Sequence, residues 1–350
     1  MSKVVSVGLV GYGMAGRVFH APLISSVPGL RLVSVVERHG ETSRERYPDV
    51  AVVKDAFELF YNEGIDLVVI AAPNAAHYEL ARAALLSGKH VVADKPFTVL
   101  SSEARELIDL AKNRHKILSV FQNRRWDGDF LTVSQIARTQ RVGRLVEFAS
   151  SFDRFRPGLK PGAWREQPGP GAGVLYDIGP HLIDQALALF GMPKSLRADI
   201  RIQRDSGTTD DQFEVVLQYE ALAVRLGAGM LAREPRPRFL LRGTRGSFVK
   251  HSLDPQEDAL RRGGTPRDKG WGVEEPARWG TIDTCESPDG RRETVETLPG
   301  RYQAFYENVY DAIVNGAALV VTPEQARDVV RIIELAMESS REGRTVEVPA

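Results

Sequence analysis

The stretch GAGVLYDIGPHLIDQAL, residues 171–187, carries the densest chemistry in the chain. A glycine-rich lead runs into a segment otherwise built of Leu, Ile and Ala. Within it Asp177, His181 and Asp184 recur at spacings of four and three. At about 100° per residue these three side chains share a wedge of about 60° on a helix. A polar seam on an otherwise apolar helix is costly unless it is paired or functional. Three readings stand. Asp177 is a helix cap and His181 a satisfied core histidine. Asp177 and His181 begin a metal site, although no third ligand stands out and no metal is expected. Or His181 is an acid/base group, with Asp177 fixing its tautomer or holding the substrate. Pro180 lacks an N–H, which places it in the first helical turn and Asp177 at the helix edge.

A second reactive group stands in HVVADKPFTV, residues 90–99. Asp94, Lys95 and Pro96 follow a short apolar run at what reads as the end of a strand. A lysine there faces the crevice where open α/β sheets hold ligands. Beside a reacting carbon it hydrogen-bonds a substrate hydroxyl and favours negative charge on that oxygen. The alternative is an exposed lysine in a turn before proline.

A third group lies near the start. Gly11-x-Gly13-x-x-Gly16 in GLVGYGMAG directly follows a strand-like run and opens a helix. The first glycine allows a tight turn, the second admits a pyrophosphate, and the third lets helix and strand close up. The helix N-terminus then offers unpaired N–H groups to the phosphates. Tyr12 and Met14, between the glycines, belong to the same cradle. Glu37 stands 21 residues after Gly16, where a carboxylate grips ribose hydroxyls and favours NAD. Arg38 follows and pairs equally well with a 2′-phosphate. The choice between NAD and NADP stays open at this point. In AAPNAAHYE, residues 71–79, Pro73, Asn74 and His77 follow another strand-like run and join the cofactor side; Asn74 reads equally as a helix cap.

These groups need elements to hold them. Strand-like runs at Val4–Val10, Leu32–Val36, Leu67–Ala71, His90–Ala93 and Ile117–Val120 alternate with helical stretches at Met14–Val27, Phe57–Asn62, Asn74–Ser87 and Ser101–Arg114. Runs apolar on both faces, alternating with helices, predict a doubly wound parallel sheet of the dinucleotide-binding (Rossmann) kind over residues 1–122. Gly88 reads as a helix C-terminus. Beyond this, Leu145–Phe155, Leu196–Arg204, Phe213–Tyr219 and Ala223–Ala228 read as strands, interrupted only by the helix at 171–190. Residues 123–350 are therefore expected to form an α+β domain with an open, mainly antiparallel or mixed sheet. Residues 250–300, rich in Gly, Pro and charge, read as a long ordered loop. Tyr302–Asn315 is an amphipathic helix with Tyr302, Phe305, Tyr306, Val309 and Ile313 on one side. Thr322, Pro323 and Gln325 read as the capped start of a last helix.

Glycine turn, DKP and GAGVLYDIGPHLIDQAL, in that order, resemble the Gfo/Idh/MocA family of oxidoreductases over nearly the whole chain. The resemblance implies an N-terminal Rossmann domain that binds NAD(P) and a C-terminal α/β domain that holds substrate and mediates oligomers. The family's E-K-P motif falls on Asp94, Lys95 and Pro96, with Asp in the place of Glu, and its D-x-x-x-H pair on Asp177 and His181. FQNRRWDGDF at 121–130, WRE at 164–166 and PQEDALR at 255–261 look closest to the NADP-dependent scyllo-inositol dehydrogenase branch. That likeness implies Trp164 and Arg165 at the nicotinamide and Asn123, Arg125 and Trp126 on the substrate side. Glu37 departs from that branch, which carries a small residue there. The implied enzyme moves hydride between nicotinamide and a hydroxyl-bearing carbon of a cyclic polyol or sugar. Lys95, His181 and Asp177 are its catalytic groups, and Lys95 and His181 must converge on one bound molecule. A reductase of another substrate class and a non-catalytic NAD(P) sensor are the alternatives; a sensor needs the glycine turn but not the acid/base set.

Bulk composition narrows the partners. Lys+Arg and Asp+Glu both number 46, giving a formal charge of zero. That argues against nucleic acid or an anionic membrane as a bulk partner. No apolar run approaches the roughly 18 residues a spanning helix needs. The N-terminal MSKVVSVGLVGYG enters a strand without a secretory apolar core, and a lone cysteine, Cys285, excludes an internal disulfide. A cytoplasmic homodimer or larger homo-oligomer is expected.

Overall fold

The computed structural model describes residues 3–160, 162–286 and 292–349. Its chain divides into two compact units. The first comprises the chain up to Trp126 together with Pro255–Trp271 and Arg301–Arg327; the second comprises Asp127–Asp254, Gly272–Gly300 and the chain from Asp328 on.

The first unit is built on six strands: β1 (Val5–Val10), β2 (Leu30–Val36), β3 (Ala51–Val53), β4 (Leu67–Ile70), β5 (His90–Ala93) and β6 (Leu118–Val120). They lie in the order β3-β2-β1-β4-β5-β6, and every pair is parallel. This is the doubly wound Rossmann order. β1 and β4 are buried throughout, as strands covered by helices on both faces must be. β3 escapes the sequence pattern because its three residues sit at the sheet edge, partly exposed. Residues 14–26 are helical, with a π stretch over Gly16–His20. Gly88 takes φ +77° just past the helix His77–Leu86, the left-handed residue that closes it.

Two later segments complete this unit. The helix Gln303–Asn315 buries Phe305, Tyr306 and Val309 against Val18, Phe19 and Ile24, which is the amphipathic face read from the sequence. The helix Gln256–Arg261 adds Leu260 to the same core. Residues 250–300, expected as a long ordered loop or decoration, instead contribute this helix and two strands of the second unit. Thr322 and Gln325 do form the predicted reciprocal cap.

Among the described residues the second unit carries nine strands: β7 (Leu145–Ser151), β8 (Ser195–Arg201), β9 (Gln212–Gln218), β10 (Ala223–Gly229), β11 (Phe239–Gly243), β12 (Gly246–Lys250), β13 (Gly280–Thr284), β14 (Glu293–Val295) and β15 (Val346–Glu347). Their order is β14-β13-β12-β11-β7-β10-β9-β8-β15. β7 and β10 pair in parallel and the other pairs are antiparallel, so the sheet is mixed. The helix Val174–Phe190 packs against β9 and β10. A further helix, Gly128–Arg138, went unread in the sequence.

Among the described residues of this unit, Lys250 and Glu274 form an ion pair with both side chains 0% exposed. Lys250 Nζ lies 2.9 and 2.8 Å from the two carboxylate oxygens and 2.6 Å from the Arg278 carbonyl oxygen. Removing one member strands a buried charge, which costs about 3–5 kcal/mol, whereas replacing both removes the charge altogether. Glu274→Leu is therefore expected to lower the midpoint of urea unfolding sharply. The double replacement Lys250→Met, Glu274→Leu is expected to cost less than Glu274→Leu alone.

Candidate functional site

In the first unit the glycine turn has the geometry its spacing implies. Gly11 has φ +97°, and a Cβ there would come 2.7 Å from the Ala71 carbonyl oxygen. A Cβ on Gly16 would collide with the Gly11 carbonyl. Around Gly13 a Cβ would meet no atom within 4 Å: the space it would fill is open. A cradle tight beneath and open above fits a dinucleotide pyrophosphate. Met14 is exposed at the helix start, 3.9 Å from the Arg261 guanidinium. Arg261 thus brings the 255–271 segment to the edge of the turn, a placement that sequence separation concealed. Tyr12 is half-exposed, and its pKa is pushed up to about 12, chiefly by burial, with Tyr47 and Glu37 adding and Arg46 and Arg17 opposing.

At the end of β2 the expected ribose hook is turned inward. Glu37 is buried; its Oε2 accepts from the Thr42 N–H at 3.0 Å and the Thr42 hydroxyl at 2.8 Å, and its Oε1 from the Ser43 N–H at 2.9 Å. Burial alone would raise its pKa, but the hydrogen bonds from Ser43 and Thr42 outweigh it and hold the carboxylate below its usual range. Glu37 staples the loop that follows β2. Arg38, next to it, is exposed.

Beyond β4, Pro73 precedes a short 3₁₀ turn, Asn74–Ala76, and neither that turn nor the next helix has a side-chain cap. Asn74 is buried inside the turn, so its reading as a cap gives way. His77 is fully buried and reaches the carbonyls of Ala72 and Pro96. Beyond β5, Asp94 Oδ1 accepts the Lys95 N–H at 2.8 Å. Its Oδ2 lies 3.7 Å from His20 Nε2, an ion-pair distance longer than a hydrogen bond. His20 Nδ1 is 2.6 Å from the Tyr306 hydroxyl, and its ring lies 4.3 Å from that of Phe121. Burial would raise the Asp94 pKa, yet His20, Lys95 and His77 together pull it down to about 2. Lys95 itself is half-buried. The sequence places Tyr306 on an apolar helix face but gives no signal of its contact with His20, which stands on the π stretch.

The residues expected on the substrate side of this unit fall on the 3₁₀ turn Asn123–Trp126. Asn123 is buried. Arg125 holds the Val320 carbonyl at 2.9 Å and Gln325 Oε1 at 3.0 Å. Trp126 packs edge-on against Phe305, with ring centroids 5.9 Å apart. Arg124, its unnoticed neighbour, is buried and pairs with Glu257 at 2.6 Å.

In the second unit the polar seam lies on the helix Val174–Phe190, and His181 and Asp184 are buried. Pro180 sits inside this helix and not in its first turn, a correction to the sequence reading. Asp177 is not the cap either. That role falls to Asp210, whose carboxylate accepts the Leu175 N–H at 2.7 Å and whose backbone oxygen accepts the Val174 N–H at 2.9 Å. Burial pushes the Asp210 pKa up to about 6. Gly173, at φ +90°, leaves the space that this carboxylate fills. Asp177 Oδ1 lies 3.1 Å from Arg165 Nε, and the Arg165 guanidinium lies 4.5 Å from the centroid of the Trp164 ring. Thus Trp164, Arg165 and Asp177 stand together, and His181 follows one helical turn after Asp177. Among the described residues, no three His, Cys, Asp or Glu side chains gather as a metal site. No described helix is long and apolar enough to cross a membrane.

Comparison with known proteins covers both units. The family profile described as the NAD-binding Rossmann fold of the oxidoreductase family matches residues 5–122, and that of the family's C-terminal alpha/beta domain matches residues 135–348. The chain is similar to the uncharacterized oxidoreductase YdgJ of Escherichia coli (strain K12), with 44% identity over 347 residues and 99% of each chain covered. It is also similar to the scyllo-inositol 2-dehydrogenase (NADP(+)) IolW of Bacillus subtilis (strain 168), with 38% identity covering 98% of this chain and 95% of that one. The solved structure of yvaA from Bacillus subtilis superposes with a TM-score of 0.96 at 38% identity, covering 100% of this chain and 99% of that one. With the glycine cradle, the six-stranded parallel sheet and both profile matches in hand, the chain belongs to the Gfo/Idh/MocA oxidoreductase family and carries its NAD(P)-binding domain.

Proposed function

We propose that the protein oxidises or reduces a hydroxyl-bearing carbon of a cyclic polyol or sugar. The observation that carries this reading is the half-buried Lys95, anchored through Asp94 at the end of β5 in the sheet that holds the glycine cradle. A bound nicotinamide supplies the hydride acceptor or donor at its C4 carbon. In the oxidative direction His181 takes the hydroxyl proton. Lys95 stabilises the alkoxide-like oxygen. Asp177, steadied by Arg165, orients His181 or holds a neighbouring hydroxyl. The name of the relative IolW supports an inositol-like substrate. Purified enzyme is expected to change absorbance at about 340 nm with at least one cyclitol or sugar. Silence across a broad panel, with cofactor binding intact, sinks the reading.

The cofactor we infer is NADP(H). Glu37 is occupied by Thr42 and Ser43, while the exposed Arg38 beside it offers a cation to a 2′-phosphate. A charge-assisted hydrogen bond contributes about 1.5–3 kcal/mol, or roughly 10- to 150-fold in affinity. NADPH is therefore expected to bind at least about tenfold tighter than NADH, and Arg38→Ala to erase that margin with little effect on NADH. Tighter binding of NADH overturns this choice of carrier. A homodimer or larger assembly, located in the cytoplasm, is the accompanying proposal, and light scattering of the purified protein tests the assembly.

A further inference from the structure

His77 opens the helix His77–Leu86 and is 0% exposed. Its Nδ1 lies 2.7 Å from the Pro96 carbonyl oxygen, and its Nε2 2.9 Å from that of Ala72. These oxygens belong to the segments that leave β5 and β4, both at the carboxyl edge of the sheet. The Ala72 arm continues the floor of the glycine turn, since Ala71 is the residue on which Gly11 is packed. The Pro96 arm directly follows Lys95, whose own N–H is held by Asp94. One buried ring therefore spans from the base of the cofactor cradle to the backbone carrying the lysine.

Both of its partners are carbonyl oxygens, which only accept. A neutral imidazole has one N–H and serves one of them; the doubly protonated ring serves both. Burial lowers the His77 pKa; the Asp94 charge and the two carbonyls oppose this without reversing it, and Lys95 adds to the lowering. The shorter contact is the one to Pro96.

We propose that His77 is a positioning residue for Lys95: Nδ1–H donates to the Pro96 carbonyl and ties the backbone that follows Lys95 to the start of the helix His77–Leu86. The proposal rests on the reading of Lys95 given above, because it concerns where that ammonium is placed. Misplacing a reacting group by about 1 Å costs up to about 100-fold in rate.

Two replacements divide the ring's functions. An asparagine amide places an N–H near the position of Nδ1, and a glutamine amide near that of Nε2. His77→Asn is expected to retain a kcat at least about tenfold above that of His77→Gln, with NADPH dissociation constants within about twofold of each other. Equal kcat values for the two variants, or a difference confined to cofactor binding or to the melting midpoint, overturn the proposal. Nitrogen-15 spectra of histidine-labelled wild-type protein give a second measurement that does not depend on a variant folding. The His77 Nδ1 is expected to be protonated at neutral pH, and a bare Nδ1 overturns the proposal. Lys95→Ala distinguishes the two levels. Full turnover in Lys95→Ala sinks the role of Lys95 itself. An inactive Lys95→Ala beside equally active His77 variants sinks only the bracket.

Discussion

Lys95→Ala is expected to lower kcat/KM by about 10²- to 10³-fold, or roughly 3–4 kcal/mol of transition-state stabilisation. The loss should fall on kcat, because an ammonium aimed at a developing alkoxide matters most where charge appears. NADPH affinity should stay within about twofold, since removal of a transition-state contact leaves ground-state binding largely intact. The local frame supports a clean experiment. Asp94 receives the Lys95 backbone N–H, which alanine retains, so the turn after β5 keeps its anchor. Asp94 in turn is braced by His20, and His20 by Tyr306, all within the first unit. Stopped-flow hydride transfer and fluorescence titration of NADPH separate the two quantities. A variant with undiminished turnover removes the lysine from the mechanism.

His181→Asn is expected to cost about 10²- to 10⁴-fold in kcat/KM, the range for loss of a general acid or base. The pH–rate profile should also lose the limb that such a group imposes. The helix that carries His181 is held independently, by Asp210 at its N-terminus and by its packing on β9 and β10. A melting curve close to wild type alongside the loss of turnover identifies a chemical role. A large drop in melting midpoint with kcat preserved identifies a core histidine, the bland reading of the seam. Asp177→Asn should have the smaller effect, because it keeps an oxygen for Arg165 while removing the charge.

What the amino-acid sequence determined alone was the local and the periodic. Apolar runs with helical stretches between them predicted the parallel sheet, because burial on both faces of a strand leaves its mark on every residue of the run. The glycine turn was legible for a related reason: at Gly11 and Gly16 the packed backbone leaves no room for a side chain, and Gly13 between them keeps the space above open. Thr322 and Gln325 declared their cap across three residues. Lys95 stood out because a strand end and a following proline bound its position tightly.

Only the tertiary structure decided which polar group each of these residues would meet. Glu37 lies at the spacing for a ribose hook, yet the loop curls back and supplies Thr42 and Ser43 as donors. Asp177 was one candidate cap for the helix at 174, yet it is the Asp210 carboxylate, from a later loop, that accepts the Leu175 N–H. Lys250 and Glu274 showed no sign in the chain of being a buried pair. His77 read as a cofactor contact and lies instead between two carbonyls. The β13 and β14 strands hid in a glycine- and charge-rich stretch because short strands near a sheet edge carry little apolar pattern. The physical reason is common to all of these. Periodicity is a property of neighbouring backbone, whereas a hydrogen bond or ion pair is chosen by proximity and burial, which exist only once distant segments have packed.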